Sequence, residues 1–185
     1  MNKPLLIIIS GPSCTGKTTL AKNLSQKFKL PLITKDSIKE ILFDDLGWSN
    51  RQWSQKVGTA SYSLIHYFLD SFMPFTSSLI IESNFKAEFE TKEILSRLKK
   101  YDYFPIQIMC QSDGQVLFER FKARSESGQR HPGHCDTSNY DELKPLLLKG
   151  KFEPMKIGGK ILIFDSTDLK NLKYNYIFNE IKKFI

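Results

Sequence analysis

A run of aliphatic residues, Leu5–Ile9, ends in the octet Gly11-Pro12-Ser13-Cys14-Thr15-Gly16-Lys17-Thr18. No other stretch restricts the chain so much, because G-x-x-x-x-G-K-[ST] between an apolar run and a helical pattern has one well-defined chemistry. Its glycines let successive backbone N–H groups converge on a phosphate, and the helix that follows aims its positive end at the same point. Gly11, Ser13, Cys14, Thr15, Gly16, Lys17, Thr18 and Thr19 are therefore the expected nucleotide-binding residues. Lys17 is placed to bridge the β- and γ-phosphates, and the Thr18 hydroxyl to hold Mg²⁺. The same letters could spell an ordinary glycine turn with Lys17 as surface charge, but setting and spelling agree on the P-loop. The adjoining helix start is expected to lower the Cys14 thiol pKa, and no catalytic role is assigned to that residue.

The rest of the chain supplies a frame for that loop. With 185 residues it fits one domain, 1–185, with a hydrophobic core of its own. Five short apolar runs, at 5–9, 30–34, 78–81, 104–110 and 160–164, alternate with helical patterns, which predicts an α/β fold on a mainly parallel sheet. Leu20, Leu24 and Phe28 mark the helix after the loop. Trp53, Val57, Ala60, Leu64 and Phe68 mark one face of a long helix ending near Met73-Pro74. Further helices are expected over 86–100, from about Asp113, and at the end of the chain through Leu169, Leu172, Tyr176, Ile177 and Ile181. The polar stretch Ser125–Thr137 lacks an apolar period and reads as a mobile excursion, a candidate lid.

Composition narrows the setting. No apolar run reaches the roughly 18 residues of a membrane span, and no secretory signal is visible, so a cytoplasmic protein is expected. Three cysteines without framework spacing fit free thiols. The net charge of +7 favours anionic partners, although its 27 Lys and Arg are spread along the whole chain. A GTPase is disfavoured: N-K-x-D is absent, and Asp44-Asp45-Leu46-Gly47 follows a helical pattern and reads as a helix end.

Candidate acids and bases follow from where ligands gather in open α/β sheets, at the carboxyl ends of strands. The second run leads into Thr34-Lys35-Asp36, where Asp36 could accept the proton of an acceptor hydroxyl, act as a helix N-cap, or do both. The third run ends in Glu82 and the fifth in Asp165; either could be the metal-side acid. Fold analogy places the third strand beside the first and the fifth at an edge, which favours Glu82. Asn84 could hydrogen-bond the acceptor. Arg120 and Arg124 lie one helical turn apart, and two or more of Arg120, Arg124 and Arg130 could neutralise transferring charge from a lid. His131, His134 and Cys135, with or without Cys110, invite a zinc reading, but H-x-x-H-C lacks paired C-x-x-C spacing and a polar lid loop is the favoured account.

Taken in order, "GPSCTGKTTLA", "TKDSIKEIL", "LIIESNF" and "LFERFKARSESGQRHPGH" resemble the small P-loop kinases related to polynucleotide kinase and chloramphenicol phosphotransferase. The resemblance runs from about Pro4 to Asp165. It implies a three-layer, nucleoside-monophosphate-kinase-like P-loop fold with strand order 2-3-1-4-5, a small lid near 120–137, and ATP with Mg²⁺ as donor. It also implies Asp36 as general base, Glu82 as the strand-three acid, and Arg120 and Arg124 as lid arginines. The basic residue that helps nucleic-acid kinases hold a substrate phosphate maps to Lys39 instead of arginine, which argues against an oligonucleotide substrate.

The expected activity is transfer of the γ-phosphoryl group of ATP to a hydroxyl of a small molecule. Two alternatives are a kinase for the 5′-hydroxyl of nucleic acid, suggested by net charge and by Trp48, Trp53, Tyr62 and Tyr67, and a non-catalytic nucleotide-binding regulatory module. Those aromatics are expected to pack in the core or line a small-molecule pocket.

Overall fold

Every residue of β1, Leu5–Ser10, is buried. Its side chains alternate between two apolar layers, Leu5, Ile7 and Ile9 on one face of the sheet and Leu6 and Ile8 on the other. A strand buried on both faces needs helices on both sides, which is the physical reason for a three-layer α/β fold. The computed structural model describes residues 3–75 and 77–185.

In chain order the regular elements are β1, α1 (Lys17–Phe28), β2 (Leu32–Thr34), α2 (Lys35–Leu46), α3 (Arg51–Phe72), β3 (Leu79–Glu82), α4 (Ala87–Tyr101), β4 (Phe104–Gln111), α5 (Gly114–Glu126), α6 (Tyr140–Leu148), β5 (Lys160–Asp165) and α7 (Tyr174–Lys182). The sheet is parallel with the expected order β2-β3-β1-β4-β5. Helices α1 and α7 cover one face through Leu20, Leu24, Ile177 and Ile181. Helices α3 and α4 cover the other through Ile65, Leu69, Ile94 and Leu98. Each such fully buried aliphatic side chain contributes about 1.5–3 kcal/mol relative to exposure. Strand β5 is the edge, so only Leu162 and Phe164 are buried while Ile161 and Ile163 stand 45% and 49% exposed.

Register sets out the working end of the sheet. Glu82 pairs with Ile9 on one side and with Thr34 on the other. The P-loop, Glu82 and the start of α2 therefore emerge together at one carboxyl edge.

Several local expectations change. On α3 the buried residues are Ser54, Val57, Gly58, Ser61, Ile65 and Leu69, whereas Ala60 is exposed. Apolar period misses this face because small residues occupy its first half; the Ser61 hydroxyl donates to the Val57 carbonyl at 2.7 Å, and the Ser54 hydroxyl accepts from Lys39 at 2.8 Å. Trp48 and Tyr67 are 50% and 65% exposed, so two of the four aromatics near this helix lie outside the core. At the chain's end α7 starts only at Tyr174, leaving Leu169 in a short turn, with Tyr176 on the exposed face.

Helix α6 was not anticipated; Pro145 interrupts its pattern, and Leu147 packs on Leu117 and Phe121 of α5. Nor is the 125–137 stretch an unanchored excursion. After α5 it makes two single turns, Pro132–His134 seated on α2 and Asp136–Ser138 against α5, where Asp136 meets Arg124. Phe43 stacks on His131 at 5.2 Å and meets His134 edge-on at 5.6 Å. Gly133 permits that seat: a Cβ there would stand 2.6 Å from the Phe43 ring.

Candidate active site

The loop between β1 and α1 takes the backbone form that its glycines promised. Gly11, Cys14 and Gly16 all have positive φ, at 143°, 67° and 77°. At Gly11 a Cβ would come 2.0 Å from the Cys110 carbonyl oxygen of β4, so no side chain fits. The Pro12 carbonyl accepts from the Thr15 hydroxyl at 2.9 Å and from Lys17 Nζ at 2.8 Å, which holds both side chains within the loop. The Cys14 thiol departs from expectation, because burial raises its pKa and outweighs the nearby Arg124 and Lys17.

Two acids competed for the metal side. The Thr18 hydroxyl donates to Glu82 Oε2 at 3.1 Å, and the Glu82 side chain is buried. Burial pushes its carboxyl up, Lys17 acting against this. Asp165 ends the edge strand and accepts instead from the Thr167 amide at 2.8 Å and from Gln111 Nε2 at 3.1 Å. A hydroxyl and a carboxylate beside a converging amide loop are the hard oxygen donors that Mg²⁺ takes, with phosphate oxygens completing the set. The residues present fit a nucleoside triphosphate with its metal.

Asp36 is the second residue of α2, two positions after the cap, which is Thr34. Arg130 Nη2 donates to Asp36 Oδ2 at 2.8 Å, and Arg130 Nη1 reaches Glu40 Oε1 at 3.3 Å. Burial alone would raise the Asp36 carboxyl, but Arg130 and Lys35 hold it well below the usual carboxylate range. Burial, reinforced by Arg130, pushes His134 far down, so its ring is neutral. The His134 tautomer follows: Nδ1 accepts from Arg130 at 3.1 Å and Nε2–H donates to Glu40 at 2.9 Å.

The other arginines divide in their contacts. Arg124 approaches Asp136 at 3.4 Å, the carboxylate that Arg130 Nε also faces at 3.4 Å. Arg120 donates to the Ser166 and Thr167 carbonyls at 2.8 and 3.0 Å, tying α5 to the loop after β5. Lys39 is buried, its Nζ 2.8 Å from the Ser54 hydroxyl. Asn84 Oδ1 accepts from the Tyr62 hydroxyl at 3.1 Å.

Two cavities meet at this edge. The larger, about 490 Å³, runs over Gly16, Thr18, Thr19 and Lys22 to Arg120 and Arg124. The smaller, about 110 Å³, is walled by Lys35, Lys39, Arg51, Ser83 and Asn84. Both are lined by Ser13, Lys17, Asp36, Glu82 and Arg130.

Residues 6–145 match the AAA domain family. The chain belongs to that family. Its fold is that of the small P-loop kinases. A crystal structure of a candidate kinase from Chloroflexus aurantiacus is 37% identical and superposes with a TM-score of 0.93 over 99% of both chains. Shikimate kinase from Acinetobacter baumannii, at 11% identity, shares the fold with a TM-score of 0.52 over 98% of this chain and 94% of its own. The tRNA dimethylallyltransferase of Staphylococcus epidermidis is 35% identical over 100 residues, 54% of this chain and 28% of that protein. The chain thus spans little more than a quarter of the length of the curated relatives it matches.

In this AAA domain protein, residues that sequence patterns did not single out complete the site. Lys22 lies one turn after Thr18 on α1, and Lys35 precedes Asp36; helical spacing could have flagged both. Glu40, one turn after Asp36 on α2, carries the same signal; Arg51 and Asp136 do not, since only the seating of α3 and the lid brings them in. Arg51 is held by a bidentate pair to Glu142 of α6, at 2.6 and 3.0 Å. Among the described residues no helix is long and apolar enough to cross a membrane.

Proposed function

We propose that the protein transfers the γ-phosphoryl group of ATP, with Mg²⁺, to a hydroxyl of a small molecule. The observation that carries this reading is the shared wall of the two cavities, where Lys17, Asp36, Glu82 and Arg130 face both. A donor cleft and an acceptor pocket that meet at a lysine and a carboxylate are what in-line phosphoryl transfer requires.

The P-loop amides and Lys17 bind the triphosphate, and Thr18 with Glu82 holds the metal. When bound, that metal neutralises charge on the phosphate oxygens. Asp36 orients the acceptor hydroxyl and takes its proton as the oxygen bonds to the γ-phosphorus. The bond from phosphorus to the β–γ bridging oxygen breaks, and ADP leaves with that electron pair. Because such transition states are loose, orientation by Asp36 matters more than its basicity, so a carboxyl held at low pKa still serves. Arg130 and Arg124 stand at the lid side to offset charge on the equatorial oxygens.

A 5′-hydroxyl nucleic-acid kinase is the second reading, favoured by exposed Trp48, which lies edge-on to His131 of the lid at 6.4 Å. Affinity that falls steeply with salt would mark it. The deciding measurement is a transfer screen with γ-labelled ATP against a broad panel of alcohols and short oligonucleotides, run beside Asp36→Ala. Transfer to a small alcohol, lost in the variant, supports the reading; hydrolysis without any transfer, unaltered by the variant, ends it.

A further inference from the structure

We propose that Glu40 and His134 are positioning residues for phosphoryl transfer: Glu40 fixes the ring proton of His134 on Nε2, and the bare Nδ1 then holds Arg130 at the wall shared by the two cavities. The inference rests on the kinase reading above and names what aims its lid arginine.

A guanidinium only donates, so His134 Nδ1, 3.1 Å from Arg130 Nη2, can only accept. The ring proton therefore sits on Nε2, and Glu40 Oε1, 2.9 Å away, accepts it. Were that proton on Nδ1, two N–H groups would face each other and Arg130 would be pushed away. The carboxylate thus sets the tautomer. The same Oε1 also accepts from Arg130 Nη1 at 3.3 Å, so the three groups close a triangle. Packing keeps it in place: His134 is only 4% exposed, the Phe43 ring meets it edge-on, and Gly133 lets the lid sit that close.

Arg130 has a second anchor, since its Nη2 also donates to Asp36 at 2.8 Å. That anchor weakens when it is most needed: Asp36 loses its negative charge as it takes the acceptor's proton, whereas Glu40 keeps its own. Arg130 is also unsaturated. One Nη1 hydrogen has no acceptor among the described residues, and neither has the buried Nε, which only faces Asp136 at 3.4 Å. On a side chain that lines both cavities, spare donors suit the equatorial oxygens of a phosphoryl group in transfer. Glu40 and His134 act through Arg130 alone.

The test reads MgADP binding by calorimetry, with and without aluminium fluoride as mimic of a phosphoryl group in transfer, in wild type, Glu40→Ala, His134→Asn and His134→Gln. His134→Asn sets a carbonyl oxygen near the place of Nδ1, whereas His134→Gln reaches toward Nε2 and offers Arg130 nothing. Transfer from γ-labelled ATP to the alcohol panel is measured in parallel. We expect fluoride to tighten MgADP binding to wild type by about 10²-fold or more. That gain should fall at least about tenfold in Glu40→Ala and His134→Gln, the loss typical of one charged hydrogen bond. His134→Asn should keep the gain, and MgADP alone should bind all four proteins alike. No gain in wild type, an equal gain in all four, or the same loss in His134→Asn as in His134→Gln overturns the proposal. If an alcohol is phosphorylated equally fast by all four, the positioning role fails and the kinase reading stands. A gain lost in His134→Gln and kept in His134→Asn, without transfer to any alcohol, supports the triangle and sinks the kinase reading. The Glu40 side chain is 37% exposed, so its variant keeps the test valid should the His134 variants fold poorly.

Discussion

Arg130 and Asp36, 94 residues apart, meet at 2.8 Å across the mouth of the P-loop cleft. The contact joins the lid to the proposed base. One guanidinium thus fixes the carboxylate's orientation and its charge.

Asp36→Ala removes the group proposed to orient the acceptor while leaving the amide loop and Lys17 intact. Transfer is expected to fall by about 10²–10⁴-fold, with nucleotide affinity nearly unchanged. Rapid-quench assays beside fluorescent-nucleotide binding check the pair; equal loss in both would contradict the assigned role.

Arg130→Met takes away the largest charge opposing the burial of Asp36, so the carboxyl rises from below its ordinary range. Activity that needs an ionised Asp36 then fails at a higher pH as acid is added. The expected result is an acid limb of kcat/KM that moves upward in the variant, and a superimposable limb would refute the coupling. The stability that depressed pKa contributes is present above about pH 4 and lost as pH falls through the folded value; the variant forfeits it.

Glu82→Gln keeps the shape of the side chain next to Thr18 but removes its charge. The Mg²⁺ concentration for half-maximal activity should rise by about 10- to 100-fold, while metal-free nucleotide binding holds. An unchanged Mg²⁺ requirement would move the metal-side role elsewhere.

Lys39→Met should stabilise the fold at neutral pH, because it removes a buried charge that has no carboxylate ion-pair partner among the described residues. With the folded pKa near 8 and the unfolded value near 10.5, the unfolded chain binds more protons between those limits, so wild-type stability rises with pH there. The variant's advantage, on the order of 1–3 kcal/mol at pH 7, should shrink toward pH 10 in urea unfolding. A variant less stable at pH 7 would contradict the accounting.

Sequence alone settled the P-loop, because a phosphate-binding turn is a local backbone device whose letters are contiguous. It also settled the five strands and the identity of Asp36, Glu82 and the lid arginines as candidates, since each follows an apolar run or a helical period. Tertiary structure set how these candidates lie relative to one another. Only the neighbouring of β1 and β3 sets Glu82 against Thr18 and leaves Asp165 at the far edge. Only the seating of Gly133 on Phe43 brings Arg130 to Asp36, while the packing of α5 beside β5 turns Arg120 to the Ser166 carbonyl. The inner face of α3 stayed hidden for a related reason: a glycine and two serines face inward there, and apolar period cannot register residues buried for their smallness.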